Sequence, residues 1–202
     1  NIPKALLQTG GGKFLLHGIT GSCKTEGYLK AATATLALGR TVLALVPEIS
    51  LTPQFVGRFR ARLGDRVALL HSRRSESERL TEWMRIRRGE ATVVIGARSA
   101  VFAPLENIGL VVIDEEHDSS YKQDEGLAYH GKTLAMDRAQ SEGAVLILGS
   151  ATPSLESYEA ASRGAFELLE LPHRVTGHDV PIVRVVDLRG EFSRYGEKGL
   201  FS

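Results

Sequence analysis

Leu110-Val111-Val112-Ile113-Asp114-Glu115-Glu116-His117 is the stretch that decides how this chain is read. An apolar run passes straight into a cluster of acids, the pattern of a buried parallel strand with carboxylates at its C-terminal end. In open α/β sheets ligands sit outside that end. A second apolar run, Phe14-Leu15-Leu16-His17, leads into Gly18-Ile19-Thr20-Gly21-Ser22-Cys23-Lys24-Thr25, a near match to the phosphate-binding loop. Together the two segments offer what nucleoside-triphosphate hydrolysis requires. One grips phosphates with backbone amides, a lysine and a hydroxyl, and the other holds a metal and activates water.

Working outward, strand and helix signals alternate, which predicts a mostly parallel sheet with helices on both faces. A helix is expected from inside the phosphate loop to about Leu38, stopped by Gly39, and a strand over 41–46. Thr52-Pro53 predicts an N-cap and a first-turn proline, with Phe55, Phe59 and Leu63 at helical spacing before Gly64. Strands are expected at 67–70, 92–95 and 108–113. Ser75-Glu76-Ser77-Glu78 reads as a capping box, followed by Leu80, Trp83 and Met84 as the apolar face of its helix. Beyond the acids we expect a helix over 130–141, a strand over 144–148, a helix capped by Thr152-Pro153 and ending near Gly164, and a closing strand over 166–171. Residues 1–172 are therefore expected to form one lobe. Pro172 to Asp179 has linker character, and 182–187 looks like the first strand of a second unit in 173–202.

Composition narrows the class. The 202 residues are 43% hydrophobic and 24% charged, ordinary for a globular domain able to bury a full core. No apolar run approaches the roughly 18–20 residues of a membrane span. The N-terminus carries no export signal pattern, and a single cysteine excludes an internal disulfide or a multi-cysteine zinc site. The expected compartment is the cytosol, with no membrane partner. The net charge of +1 hides ten arginines between Arg58 and Arg88 facing four acids, an excess of six positive charges. Such a cluster attracts nucleic-acid phosphates, although single arginines there also serve as solvated helix faces.

Within the phosphate loop, Gly18, Thr20, Gly21, Ser22, Cys23, Lys24, Thr25 and Glu26 are the expected nucleotide-binding residues. Lys24 would reach the β- and γ-phosphates, and the Thr25 hydroxyl would bind Mg²⁺. Cys23 stands where the loop pattern has its second glycine. A side chain forced to positive φ there costs about 1–2 kcal/mol and crowds the phosphates. Asp114 would hold Mg²⁺, and Glu115 would orient and deprotonate water.

Six segments carry a family resemblance. They are the phosphate loop through Glu26, Val46-Pro47-Glu48-Ile49-Ser50-Leu51-Thr52-Pro53-Gln54, Leu70-His71-Ser72, Gly96-Ala97-Arg98-Ser99-Ala100-Val101-Phe102, Asp114 through Gln123, and Gly149-Ser150-Ala151-Thr152-Pro153. In this order the chain resembles the PriA family of bacterial replication-restart helicases, superfamily 2, DEAH-like, over about residues 14–190. The resemblance implies the first of two RecA-like lobes of a P-loop NTPase, with ATP and Mg²⁺ as cofactors. It further implies single-stranded or forked DNA, primosome proteins and single-strand-binding protein as partners.

The resemblance also assigns roles. Lys24 and Glu115 would act on ATP. His117, Ser150 and Thr152 would couple hydrolysis to strand separation, and Pro47, Glu48, Arg98 and Ser99 would line the single-strand track. The stretch from Tyr121 and Lys122 to Tyr129 resembles an aromatic-rich loop that senses DNA, its tyrosines stacking on unpaired bases and Lys122 touching phosphate. Alternatively, Tyr121 and Tyr129 are loop-packing residues. Gly131-Lys132-Thr133 departs from the family's usual Ala-Arg-Asp, and the second lobe with its arginine finger is not found. Such a finger is worth about 10³–10⁵ in rate, so this chain alone is expected to hydrolyse ATP slowly and not to unwind DNA. The competing expectation is a degenerate, non-hydrolysing module binding DNA or primosome proteins, which Cys23 favours and Lys24, Asp114 and Glu115 oppose.

Overall fold

The computed structural model describes residues 11–19, 24–72 and 74–172. Seven strands form one parallel sheet: β1 (Lys13–Gly18), β2 (Thr41–Leu45), β3 (Val67–Leu70), β4 (Val93–Gly96), β5 (Ile108–Asp114), β8 (Val145–Ser150) and β9 (Glu167–Leu171). Their order is β3-β4-β2-β5-β8-β1-β9. A separate antiparallel hairpin pairs β6 (Lys122–Gln123) with β7 (Tyr129–His130). Among the described residues five α-helices connect the strands: α1 (Lys24–Ala37), α2 (Pro53–Leu63), α3 (Glu76–Arg87), α4 (Gly131–Ser141) and α5 (Leu155–Ser162).

The period of two along each strand divides the core. Phe14, Leu16, Ala44, Val112 and Ile147 face one way, against Tyr28, Leu29 and Ala32 of α1 and Val56, Phe59 and Leu63 of α2. Leu15, Leu43, Val111, Leu146 and Leu148 face the other, against Ile86 of α3 and Ala135 and Ala139 of α4. Every residue of β5 is buried, as expected of a central strand covered on both faces. The layered α/β reading of the sequence is thus what the chain adopts.

Local signals held in most places. Thr52 caps α2 by accepting from the Phe55 N–H, with Pro53 in the first turn. Ser75 and Glu78 form the reciprocal capping box. Gly39 and Gly89 take φ of +70° and +72° where α1 and α3 stop.

Two expectations are corrected. Ser154, not Thr152, caps α5, accepting from the Ser157 N–H; Pro153 therefore precedes the cap. In α3 the inward residues are Glu82 and Ile86, while Leu80, Trp83 and Met84 are 62%, 39% and 39% exposed. Glu82 tolerates burial because Arg74 and Arg85 reach its two oxygens at 3.2 and 2.8 Å. The apolar stripe of α3 is left facing out.

The arginine cluster is also less free than its count implied. Arg62 pairs with Glu26, Arg74 and Arg85 with Glu82, and Arg88 with Glu90. Arg58, Arg60, Arg79 and Arg87 make no ion pair among the described residues. The expected linker and the strand at 182–187 lie outside the described residues.

Candidate nucleotide site and its coupling residues

Three strand ends meet at one edge of the sheet. Gly149 on β8 stands opposite Leu16 on β1 and Asp114 on β5, so the loop after β1 and the acids after β5 flank the end of β8. Lys24 is the first residue of α1. Thr20, Gly21, Ser22 and Cys23 lie outside the described residues. Lys24 Nζ donates to the Gly18 carbonyl at 3.1 Å and lies 3.3 Å from Glu115 Oε1. Lysine and acids, far apart in sequence, therefore converge.

Asp114 is 8% exposed, and its Oδ1 accepts from the Tyr28 hydroxyl at 2.8 Å. Tyr28 lies one helical turn beyond Lys24 and so on the same face of α1. Burial pushes the Asp114 carboxyl above its usual value; the Tyr28 hydrogen bond opposes this, Glu115 adds to it, and Lys24 opposes it. Because folding disfavours its ionised form, Asp114 costs stability once the pH rises through its elevated folded value. Asp114→Asn keeps an acceptor for Tyr28 and removes that charge. It is expected to raise the thermal midpoint at neutral pH by the equivalent of about 0.5–2 kcal/mol. The gain should shrink in acid and accompany loss of Mg²⁺-dependent nucleotide affinity, read by thermal melts across pH and by nucleotide titration.

Glu115 adopts φ of +44°, a conformation a non-glycine residue holds at a cost of order 1–3 kcal/mol and which clusters at functional sites. The turn is fixed on both sides. The Glu116 N–H donates to the Gly149 carbonyl at 3.1 Å, and the Asp118 N–H to the Glu115 carbonyl at 2.8 Å.

Glu116 itself is 2% exposed. Its carboxylate pairs with Lys132 and accepts from the Ser154 N–H at 2.7 Å, the Ser154 hydroxyl at 3.0 Å and the Ser157 hydroxyl at 2.8 Å. Burial works against its charge, but Lys132, the Ser154 amide and the Ser157 hydroxyl outweigh it and hold the carboxyl below the usual glutamate value. One buried carboxylate thus ties the acid turn to the first turns of both α4 and α5.

A parallel link joins His117 and the strand end beyond β8. His117 Nδ1 lies 2.8 Å from Ser150 Oγ, which also accepts from the Thr152 N–H at 3.0 Å. His117, Ser150 and Thr152 are therefore brought together.

Glu26 is not brought to the acids. It pairs with Arg62 of α2 at 2.7 Å, an exposed contact that lowers its pKa.

The residues read as a single-strand track also collect at this edge. Pro47 is buried and Glu48 exposed, with Glu48 Oε1 accepting from the Ser72 hydroxyl at 2.7 Å. Ser99 is exposed beside Arg98. Arg98 donates to the carbonyls of Ser120 and Lys122 at 3.1 and 2.6 Å, so it braces the start of the hairpin. A Cβ at Gly131 would lie 3.0 Å from Arg98 Cβ, which accounts for the small residue opening α4.

Tyr121 is a correction. It is fully buried, and its hydroxyl lies 2.6 Å from the Asp114 carbonyl and 3.1 Å from the Leu45 carbonyl. It has no ring face to offer a base. It anchors the hairpin to β5, the packing alternative already open in the sequence. Tyr129 is half-buried and meets Phe102 edge-on, with centroids 5.1 Å apart. Lys122 is exposed, 3.0 Å from Asp124.

Sequence reasoning missed Tyr28, Glu116, Lys132, Ser154, Ser157 and the packing need at Gly149. Two signals were available. Tyr28 sits at helical spacing from Lys24, and a glycine inside an otherwise apolar strand marks close approach.

The donor set suits a small hard cation. Among the described residues no cluster of three or more His, Cys, Asp or Glu side chains forms a metal site. Mg²⁺ needs none, being held by one or two carboxylates, waters and substrate phosphates.

The lysine and the paired acids thus meet at the C-terminal edge of a seven-stranded parallel sheet, the edge where ligands sit in open α/β folds. The DEAD/DEAH box helicase family profile matches residues 2–161, and the chain belongs to that family as one of its RecA-like lobes. It is 53% identical to replication restart protein PriA of Bacillus subtilis over 189 residues, covering 94% of this chain and 23% of that protein. To replication restart protein PriA of Treponema pallidum it is 50% identical over 183 residues, covering 91% of this chain and 28% of that protein. The chain spans about a quarter of the length of these curated relatives. Among solved structures, RecG bound to a three-way DNA junction shares the fold at a TM-score of 0.63 and 24% identity, covering 89% of this chain and 23% of that one. The Hef helicase domain of Pyrococcus furiosus does so at 0.57 and 21%, covering 85% and 37%. No helix among the described residues is long and apolar enough to cross a membrane.

Proposed function

We propose that this chain is the ATP-binding and ATP-hydrolysing lobe, residues 1–172, of a PriA-like replication-restart DNA helicase acting in the cytoplasm. The observation that carries the reading is the approach of Lys24 Nζ to Glu115 Oε1 at 3.3 Å, beside an Asp114 held by Tyr28. In this reading Gly18 and the loop from Thr20 to Cys23 wrap the phosphates with backbone amides. Lys24 leaves Glu115 for the β- and γ-phosphates. The Thr25 hydroxyl and Asp114 would hold Mg²⁺, which would supply positive charge to stabilise the phosphate oxygens. Glu115, its backbone set by the turn at +44°, orients water and takes its proton. Glu26 serves the contact between α1 and α2.

His117, with Ser150 and Thr152, reports the state of the acids to the end of β8. Glu48, Arg98 and Ser99 form the single-strand track, with Pro47 buried behind it rather than lining it, and the hairpin bearing Lys122 and Tyr129 contacts DNA next to it. Single-stranded or forked DNA, primosome proteins and single-strand-binding protein are the proposed partners. The retained Lys24, Asp114 and Glu115 oppose the non-hydrolysing module, whose main support is Cys23.

A fluorescent ATP analogue should bind in a Mg²⁺-dependent manner. Lys24→Ala should weaken binding about tenfold to a hundredfold, the worth of a charge-assisted hydrogen bond. Equal affinity of variant and parent would exclude this assignment.

A further inference from the structure

We infer that the cleft between α3 and the end of β4 is a slot for an unpaired nucleobase, extending the single-strand track past Ser99. The inference rests on the single-strand reading proposed above and names a site beyond it. The cleft has a volume of about 510 Å³, and Leu70, Ser72, Arg79, Leu80, Trp83 and Ser99 line it. Its apolar wall is the Leu80 and Trp83 stripe of α3, which the fold leaves outside. Trp83 is 39% exposed and Leu80 62%, because Glu82 and Ile86 take the inward positions.

Three observations select nucleic acid as the occupant. The cleft borders the proposed track: Ser72 lines both it and a neighbouring cavity of about 280 Å³ with Glu48, Arg98 and Ser120. The rim is matched to a phosphodiester, since Arg79 makes no ion pair among the described residues and Ser99 offers an exposed hydroxyl, while the Ser72 hydroxyl is already donated to Glu48. The wall is an indole, the side chain whose face stacks on any base without regard to sequence. Glu76 is the one acid on the wall.

The test uses the protein's own probe, because Trp83 is the only tryptophan in the sequence. Single-stranded oligothymidylate is titrated into the chain while tryptophan emission is followed. Anisotropy of the same oligonucleotide, labelled at its far end, is followed in parallel. The expected result is saturable quenching at the concentration where anisotropy saturates, and none with an abasic oligonucleotide of equal length. Trp83→Leu should weaken binding roughly tenfold, and Trp83→Phe should restore most of it, with thermal melts confirming both variants folded. Binding by anisotropy with unchanged emission would overturn the slot and leave the single-strand reading standing. Absence of binding would remove both. Emission that responds only to an added protein segment would assign the cleft to a protein partner and overturn the inference.

Discussion

Lys132→Met is expected to destabilise the fold by about 3–5 kcal/mol, the cost of leaving a buried charge without its partner. Glu116 would keep its carboxylate at 2% exposure with only the Ser154 and Ser157 donors left. The pH dependence carries the sign. In the parent, Glu116 is held below its usual value, so its contribution is present above the unfolded pKa and lost as pH falls through the lower folded one. In the variant, burial without a counter-ion pushes the carboxyl up, and acid relieves the unpaired charge. The stability gap between parent and variant should therefore be widest near neutrality and narrow as the pH approaches 4. Denaturant midpoints measured at several pH values read this directly; a gap constant across pH would mean that Lys132 acts by packing. Adding Glu116→Gln to Lys132→Met should recover a large part of the loss, since a neutral amide needs no counter-charge.

Gly149→Ala is expected to cost close to 3 kcal/mol, the upper end for overpacking a core. A Cβ there would lie 1.7 Å from the Tyr28 hydroxyl oxygen, 2.9 Å from its ring and 3.3 Å from Asp114 Oδ1. Gly149 and Asp114 are register partners on adjacent strands, so β8 cannot move away without disturbing β5. The relief must come from Tyr28, which then releases Asp114. Nucleotide affinity should fall together with stability, unlike an ordinary core substitution. Tyr28→Phe in the Gly149→Ala background should recover part of the stability but not the hydrogen bond to Asp114. Calorimetric nucleotide titration beside thermal melts separates the two effects; full affinity in Gly149→Ala would show that Tyr28 does not position Asp114.

These two positions also mark what was legible. The apolar runs of β1, β2, β3, β5 and β8, the capping box at Ser75 and Glu78 and the glycine stops at Gly39 and Gly89 are local signals, and each formed where its residues predicted. The convergence of Lys24 on Glu115 was legible too, because parallel strands place the loops that follow them along a single edge. The outward face of α3 was not. Helical spacing reports which residues share a stripe; packing of Ile86 in the core and the ion pairs of Glu82 with Arg74 and Arg85 go with the stripe that turns inward. Tyr121 was misjudged for the same reason: an aromatic in a loop reads alike whether its ring meets solvent or the end of a strand.

Local chemistry along the chain determined the parallel sheet and most helix caps, since these depend on neighbours within a turn or a strand. The tertiary structure alone decided that Glu116 is a buried hub, that Tyr28 holds Asp114 over a required glycine, and that Trp83 faces outward. Those outcomes depend on partners brought together across the fold, where a charge or hydroxyl shut off from water must find its counterpart.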